Sequence, residues 1–245
     1  MINFTRKERY DFCDLQKLVT FLRSEDGCPW DRVQTHSSIR RNLLEEAYEA
    51  CEGIDLDDAA LMREEFGDVL LQVVFHTSIE EDAGRFTMDD VCDAVCKKLI
   101  FRHPHLFAQM DADAWDWEEM KKQEKGVTTQ TQVLDNVARS LPALIRAEKI
   151  SGKMGKMDLG WRKAEDALDY AKAQLEKAPT AQTLGSVLFA LTGACKALEI
   201  DPEDALHKTC EEVIGSFARE EEHGTLQNCQ IQQFLPCEET EIINP

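Results

Sequence analysis

Apolar residues recur at three- and four-residue intervals along most of this chain, the spacing of one helix face. Clean alternation bounded by turn pairs, the mark of strands, does not occur. Phe12, Leu15, Leu18, Val19 and Leu22 form a first stripe, predicting a helix over 11–23. Gly27 and Pro29 punctuate the following loop, 24–36, which carries the aromatic Trp30. Ser37 or Ser38 is placed to cap a second helix, which breaks at 53–58. Asp57 or Asp58 then caps a long helix to about Asp82, with Gly84 as its stop. Thr87 opens a helix from Met88 to about Phe101, and His103-Pro104-His105 reads as a turn. A short helix within 111–126 carries Trp115 and Trp117, and 127–140 is a polar connector. A second helical set follows over 141–149, 163–176, 181–198 and 202–222, ahead of a polar, weakly ordered tail at 225–245. The expected class is all-α, arranged as a helical domain over 1–126, the connector 127–140, a second helical domain over 141–224 and the tail.

Against that apolar pattern, the carboxylates of the second and third helices stand out. Glu45 and Glu46 lie one turn from Glu49, and Glu65 lies one turn from Asp68. An antiparallel pair joined by the 53–58 break brings the two acidic faces together. An acidic pair on a helix is most often a solvated face. Here, however, Asp68 leads into Val69, Leu70, Leu71, Val73, Val74 and Phe75, apolar nearly all round, as in a buried helix. Carboxylates entering such a helix are costly unless paired or bound to metal. Hard divalent ions, Mg²⁺ above all with Mn²⁺ as a substitute, prefer such all-oxygen sites and leave room for phosphate oxygens.

Composition narrows the partners. A chain of 245 residues has room for one large or two small domains. A net charge of −19 argues against coating nucleic acid, whose phosphates need clustered Lys and Arg. It leaves a small anionic substrate open, because bound cations reverse the local field. Nine cysteines, an odd number without CxxC, point to reduced thiols in the cytoplasm. Cys92 and Cys96, one turn apart, read as core residues. No stretch is long and apolar enough to cross a membrane, and residues 1–10 lack a signal-peptide run.

The two halves are weakly self-similar. Phe66-Gly67-Asp68-Val69-Leu70-Leu71 matches Leu184-Gly185-Ser186-Val187-Leu188-Phe189, each with a glycine expected to allow close helix approach. Glu45, Glu46 and Glu49 fall opposite Glu165, Asp166 and Asp169. Glu64, Glu65 and Asp68, however, fall opposite Gln182, Thr183 and Ser186, and Lys98 and Arg102 opposite Glu212 and Ser216. The expectation is a catalytic N-terminal half and a structural C-terminal half.

The order Gly-Cys-Pro-Trp-Asp (27–31), EExxE (45–49), ExxD (65–68) and KLxxRHPHLF (98–107) resembles the MazG family of nucleoside triphosphate pyrophosphohydrolases. The likeness is close over about 11–107 and weaker to about 222, where two-repeat members carry a second MazG domain. Residues 140–150, SLPALIRAEKI, are similar to the connector of such proteins. The resemblance implies helical units of four-helix type that dimerise, with Mg²⁺ held by Glu45, Glu46, Glu49, Glu65 and Asp68. It implies that Lys98 and Arg102 contact the triphosphate and that an NTP is hydrolysed to NMP and pyrophosphate. Neither nucleic acid nor membrane is an expected partner. The substituted ExxD positions put any activity of the second domain in doubt.

Within that reading, Glu45 or Glu46 is the candidate general base, the sequence not choosing between them. Trp30 either stacks on a base or caps the bundle core. There is no GxxxxGK[ST] loop, which disfavours a P-loop enzyme. A di-iron carboxylate bundle wants paired ExxH motifs, and Glu220 to His223 is the single instance. A non-catalytic nucleotide sensor or scaffold that retains Mg²⁺-nucleotide binding is the alternative reading.

Overall fold

The computed structural model describes residues 4–108, 120, 124, 126 and 128–223. These contain helices and no strand, so the fold is all-α. The described residues fall into two compact units, Met1–Glu124 and Lys125–Pro245.

In the first unit, α1 (Phe12–Arg23) begins at a reciprocal capping box between Asp11 and Asp14. The short α2 (Pro29–Arg32) interrupts what the sequence presents as loop, with Pro29 starting it where no backbone donor is needed. Thr35, not Ser37 or Ser38, caps α3 (His36–Asp55), and Ser38 closes the box from the third position. Asp58 caps α4 (Ala59–Asp82) through Ala60 and Leu61. Between them Asp57 takes φ 51°, which sets the tight turn, and Gly84 takes φ 65° after α4. Thr87 caps α5 (Met88–Arg102), and the His103–His105 turn continues into one helical turn, α6 (Pro104–Phe107).

α3 and α4 form an antiparallel hairpin. Gly53 lies against Met62 at the turn end, where an added Cβ would come 3.0 Å from the Met62 amide nitrogen. At the open end His36 meets His76 and Glu80. α1 lies across α4, and the shared core is Val19, Ile39, Val74, Phe75 and Met88, edged by Leu15, Leu71, Ile79 and Val91. The Arg23 guanidinium is buried, 5.2 Å from the Phe75 ring centroid, and donates to Asp82 at 2.5 Å.

Burial of α4 is one-sided, which corrects the expectation of a helix enclosed all round. Val74 and Phe75 are buried, whereas Phe66, Leu70 and Val73 are exposed. The C-terminal half of α5 is likewise bare at Val95, Leu99, Ile100 and Phe101.

The second unit comprises α7 (Gln130–Asp135), α8 (Ala143–Lys156), α9 (Ala164–Leu175), α10 (Ala181–Ala197) and α11 (Pro202–His223). α7 occupies part of the segment expected to be connector, started by a Thr129–Gln132 capping box. α8 runs a full two turns beyond the expected Lys149, since Gly152 and Gly155 are tolerated within it. α9 and α10 form the main hairpin around Ala167, Ala171 and Ala190, with Trp161 packed on it. The close approach expected at Gly67 and Gly185 does not occur, as nothing lies within 4 Å of an added Cβ at either. It occurs instead at Gly193, where a Cβ would meet the Trp161 ring at 2.5 Å. The expected helix with Trp115 and Trp117 and the tail from 225 lie outside the described residues. Among the described residues no single helix is long and apolar enough to cross a membrane.

Candidate metal centre

Midway along the α3–α4 hairpin the carboxylates of Glu46, Glu49 and Glu65 converge, with one oxygen from each inside 4.8 Å of the others. The helix period makes this happen. Glu46 and Glu49 are three apart on α3 and share its α4-facing side, while Glu65 looks back from the first half of α4. Glu65 is 9% exposed, a deep position for a carboxylate with no cationic partner among the ion pairs of the described residues. Glu46 is half-buried and Glu49 is exposed, so the group opens to solvent on one side.

The electrostatics are those of crowded like charges. Burial pushes the Glu46 carboxyl above its usual range, and the charges of Asp68, Glu49 and Glu65 push it further. Burial likewise raises Glu65, with Glu49, Asp68, Glu64 and Glu52 adding to it. Asp68 therefore acts on both residues, although it stands outside the tight trio. Glu45 is turned away, accepting from Arg41 Nε at 2.7 Å on the exposed face of α3. Desolvated, mutually repelling oxygens without a neutralising side chain fit a hard divalent cation in number and kind of donor.

Arg102 Nε donates to Glu124 at 2.6 Å, and Lys98 is half-buried on the C-terminal half of α5. Lys97 is paired with Asp93 along the helix. Trp30 sits on α2 with 59% exposure, so it does not cap the core. In the second unit, Asp169 pairs with Lys172, and Ser186 Oγ donates to the Gln182 carbonyl.

Sequence reasoning missed the contacts at the open end of the hairpin. His36 and His76 are 40 residues apart and stack with ring centroids 5.0 Å apart. Two histidines at that separation carry no local signal. Only the antiparallel register, counted back from the 53–58 turn, would have paired them.

Comparison with known proteins decides the family. Residues 34–107 match the MazG nucleotide pyrophosphohydrolase domain, a span that contains the whole hairpin and α5. The chain is 36% identical over 219 residues to the nucleoside triphosphate pyrophosphohydrolase/pyrophosphatase MazG of Thermotoga maritima, covering 86% of each protein. It belongs to the MazG family. A nucleoside triphosphate pyrophosphohydrolase of Escherichia coli K12 is 33% identical over 224 residues, 83% of this chain and 85% of that one. The corresponding enzyme of Mycolicibacterium smegmatis is 43% identical over 137 residues, covering 54% of this chain and 42% of the relative. The MazG match begins two residues before α3 and ends with α6, so it frames the acidic group and leaves α1 outside.

Proposed function

We propose that this MazG protein hydrolyses nucleoside triphosphates to nucleoside monophosphate and pyrophosphate with Mg²⁺, or Mn²⁺ in its place, and so clears unwanted nucleotides from the cytoplasmic pool. The observation that carries the reading is the meeting of Glu46, Glu49 and Glu65 oxygens within 4.8 Å between α3 and α4. Glu46, Glu49 and Glu65, with Asp68 beside them, would hold the ion. Glu45 would reach it only by giving up Arg41. Bound there, Mg²⁺ supplies charge neutralisation for the triphosphate and acidifies a water.

The chain's own groups do the rest. Glu46 takes the proton of the attacking water as general base. Attack at the α-phosphorus expels pyrophosphate. Lys98 and Arg102 bind the departing phosphates, Arg102 exchanging Glu124 for phosphate oxygens. Trp30, exposed on its short helix, offers a face for the base.

The catalytic domain is residues 1–126 in this reading, followed by the connector 127–140. Residues 141–224 form a second MazG-like domain that has lost its ligands and serves packing, and 225–245 is a tail. The chain acts as a homodimer, neither nucleic acid nor membrane being a partner. The bare apolar faces of α4 and α5, where Phe66, Leu70, Val73, Val95, Leu99 and Ile100 are exposed, support this, since exposed apolar patches mark interaction sites. Seven unpaired cysteines among the described residues, five of them exposed, support a reducing compartment.

A panel of canonical and modified NTPs with Mg²⁺, resolving NMP plus pyrophosphate from NDP plus phosphate, tests the proposal. Nucleotide binding without pyrophosphate release under any metal condition would establish the sensor or scaffold reading instead.

A further inference from the structure

The open end of the α3–α4 hairpin is tied by a chain of four side chains that catalysis does not use. Arg85, from the turn after α4, donates two hydrogen bonds to Glu80, at 2.5 Å from Nε and 2.6 Å from the terminal nitrogen. Glu80 also holds the Nε2 of His36, the first residue of α3. His36 Nδ1 in turn lies 2.7 Å from His76 Nδ1, with the two rings within 7° of parallel. His76 Nε2 is buried without a partner.

We propose that this chain positions α3 against α4 and thereby makes divalent-cation affinity at the acidic group depend on the protonation of the histidine pair. The inference rests on the metal reading above. An Nδ1-to-Nδ1 hydrogen bond holds one proton between two nitrogens. The neutral pair satisfies it, His76 donating Nδ1–H to His36 Nδ1 and His36 donating Nε2–H to Glu80; with one imidazolium, His36 donates both Nε2–H to Glu80 and Nδ1–H to His76. Neutral His76, accepting at Nδ1, then carries its hydrogen on the buried Nε2, and a second proton, on His76 Nδ1, sets two N–H groups against each other. The pair must then part.

The surroundings make that second proton unwelcome but reachable. Burial lowers the proton affinity of His76, and the His36 charge lowers it further. Glu80 stays ionised, its pKa brought down to about 2 by the Arg85 hydrogen bonds in the main and by His36 after them. From the other elements packed on α4, α1 brings Arg23, neutralised by Asp82. The first turn of α5 brings Asp89 and Asp90, Asp90 being held by Thr87. Neither supplies an acceptor to His76 Nε2.

Ten residues of helix separate His36 from Glu46, about 15 Å at 1.5 Å per residue. In this proposal α3, released at its first residue, tilts about the Gly53–Met62 contact and works Ile39 loose from the core. Glu46 and Glu49 lie along that lever and move away from Glu65. A cation that needs all three oxygens at once binds more weakly, and by linkage its binding must disfavour the second proton.

Calorimetric titration of the full chain with MgCl₂ at about pH 7.5 and about pH 5 tests this, the lower value lying well below an ordinary histidine because His76 is lowered. The unaltered protein, His76→Gln and His36→Gln are compared, since glutamine keeps hydrogen bonding but does not titrate. Between the two pH values the unaltered protein should lose about tenfold more affinity than either variant, a typical coupling between sites. The acidic group's own titration is common to all three and cancels. In the unaltered chain, the NMR titration of His76 should also move to lower pH by about one unit when MgCl₂ is saturating. That second measurement stands even if a variant does not fold. Equal pH dependence in all three proteins, or a His76 titration indifferent to Mg²⁺, overturns the coupling while leaving the metal site intact. Absence of Mg²⁺ binding at about pH 7.5 in the unaltered chain refutes the metal reading, and this one with it.

Discussion

Replacing Glu46 by glutamine (Glu46→Gln) removes one of three converging charges while keeping the side chain's shape. Without metal the change should stabilise the protein. Two unit charges 4.8 Å apart repel by about 3.5 kcal/mol at an effective dielectric of about 20. The exposure of Glu49 to solvent reduces the net gain to about 1 kcal/mol. For a chain of this size that raises Tm by about 4 °C. With Mg²⁺ at about a hundred times the unaltered protein's Kd, binding adds about 2.7 kcal/mol, or about 10 °C. If the variant binds about a hundredfold more weakly, the same Mg²⁺ adds only about 0.4 kcal/mol to it. The order of stabilities must therefore cross, the variant melting higher in chelator and lower in Mg²⁺. Differential scanning calorimetry under the two conditions reads both numbers. Parallel Mg²⁺ shifts in the two proteins, or a variant less stable in chelator, would show that these carboxylates do not share an ion.

Glu49→Ala and Asp68→Ala should each abolish pyrophosphate release, whereas Asp169→Ala should leave most of it; the opposite pattern would assign the chemistry to the second unit. Acid should act on the two kinds of carboxylate in opposite senses. Glu80, depressed to about 2 by Arg85, gives stability that is complete above the unfolded value of 4.5 and lost as pH falls from there towards 2. Equilibrium unfolding over that range should show the loss in the unaltered protein and not in Glu80→Gln. Glu46 and Glu65 are raised, so their protonated forms favour the folded state and metal-free stability declines as pH rises above 4.5 through their folded values. Leu99→Asp, on the bare face of α5, should shift the chain from dimer to monomer in sedimentation experiments, and an unchanged dimer would move the interface elsewhere.

The helices were legible because their signals are local. Asp58, Thr87 and the apolar stripe of α1 each announce an element within a few residues. The convergence of Glu46, Glu49 and Glu65 was legible for a related reason, since one short turn and the helix period together fix which faces meet. Glu45 shows the limit of that reasoning. It differs from Glu46 by a single 100° step, and its partner Arg41 was as visible in sequence as any metal partner. Gly67 misled for another reason. A glycine flanked by apolar residues signals close packing only if a neighbour arrives, and none does at Gly67, whereas Gly53 and Gly193 are the ones approached. The half-bare α4 shows a third limit, because a helix apolar all round does not say how much of it the rest of the chain will cover.

The acidic trio is assembled entirely by one hairpin whose strands of helix are joined by a turn of three residues, Leu56 to Asp58. Contacts so near in sequence close a shorter loop than the crossing of α1 over α4, so they are expected to form first. Repulsion among the carboxylates is then already felt at the folding barrier. Screening or neutralising it should quicken folding more than it slows unfolding. The same short loop that builds the site thus makes ions act on how fast the chain reaches its native state.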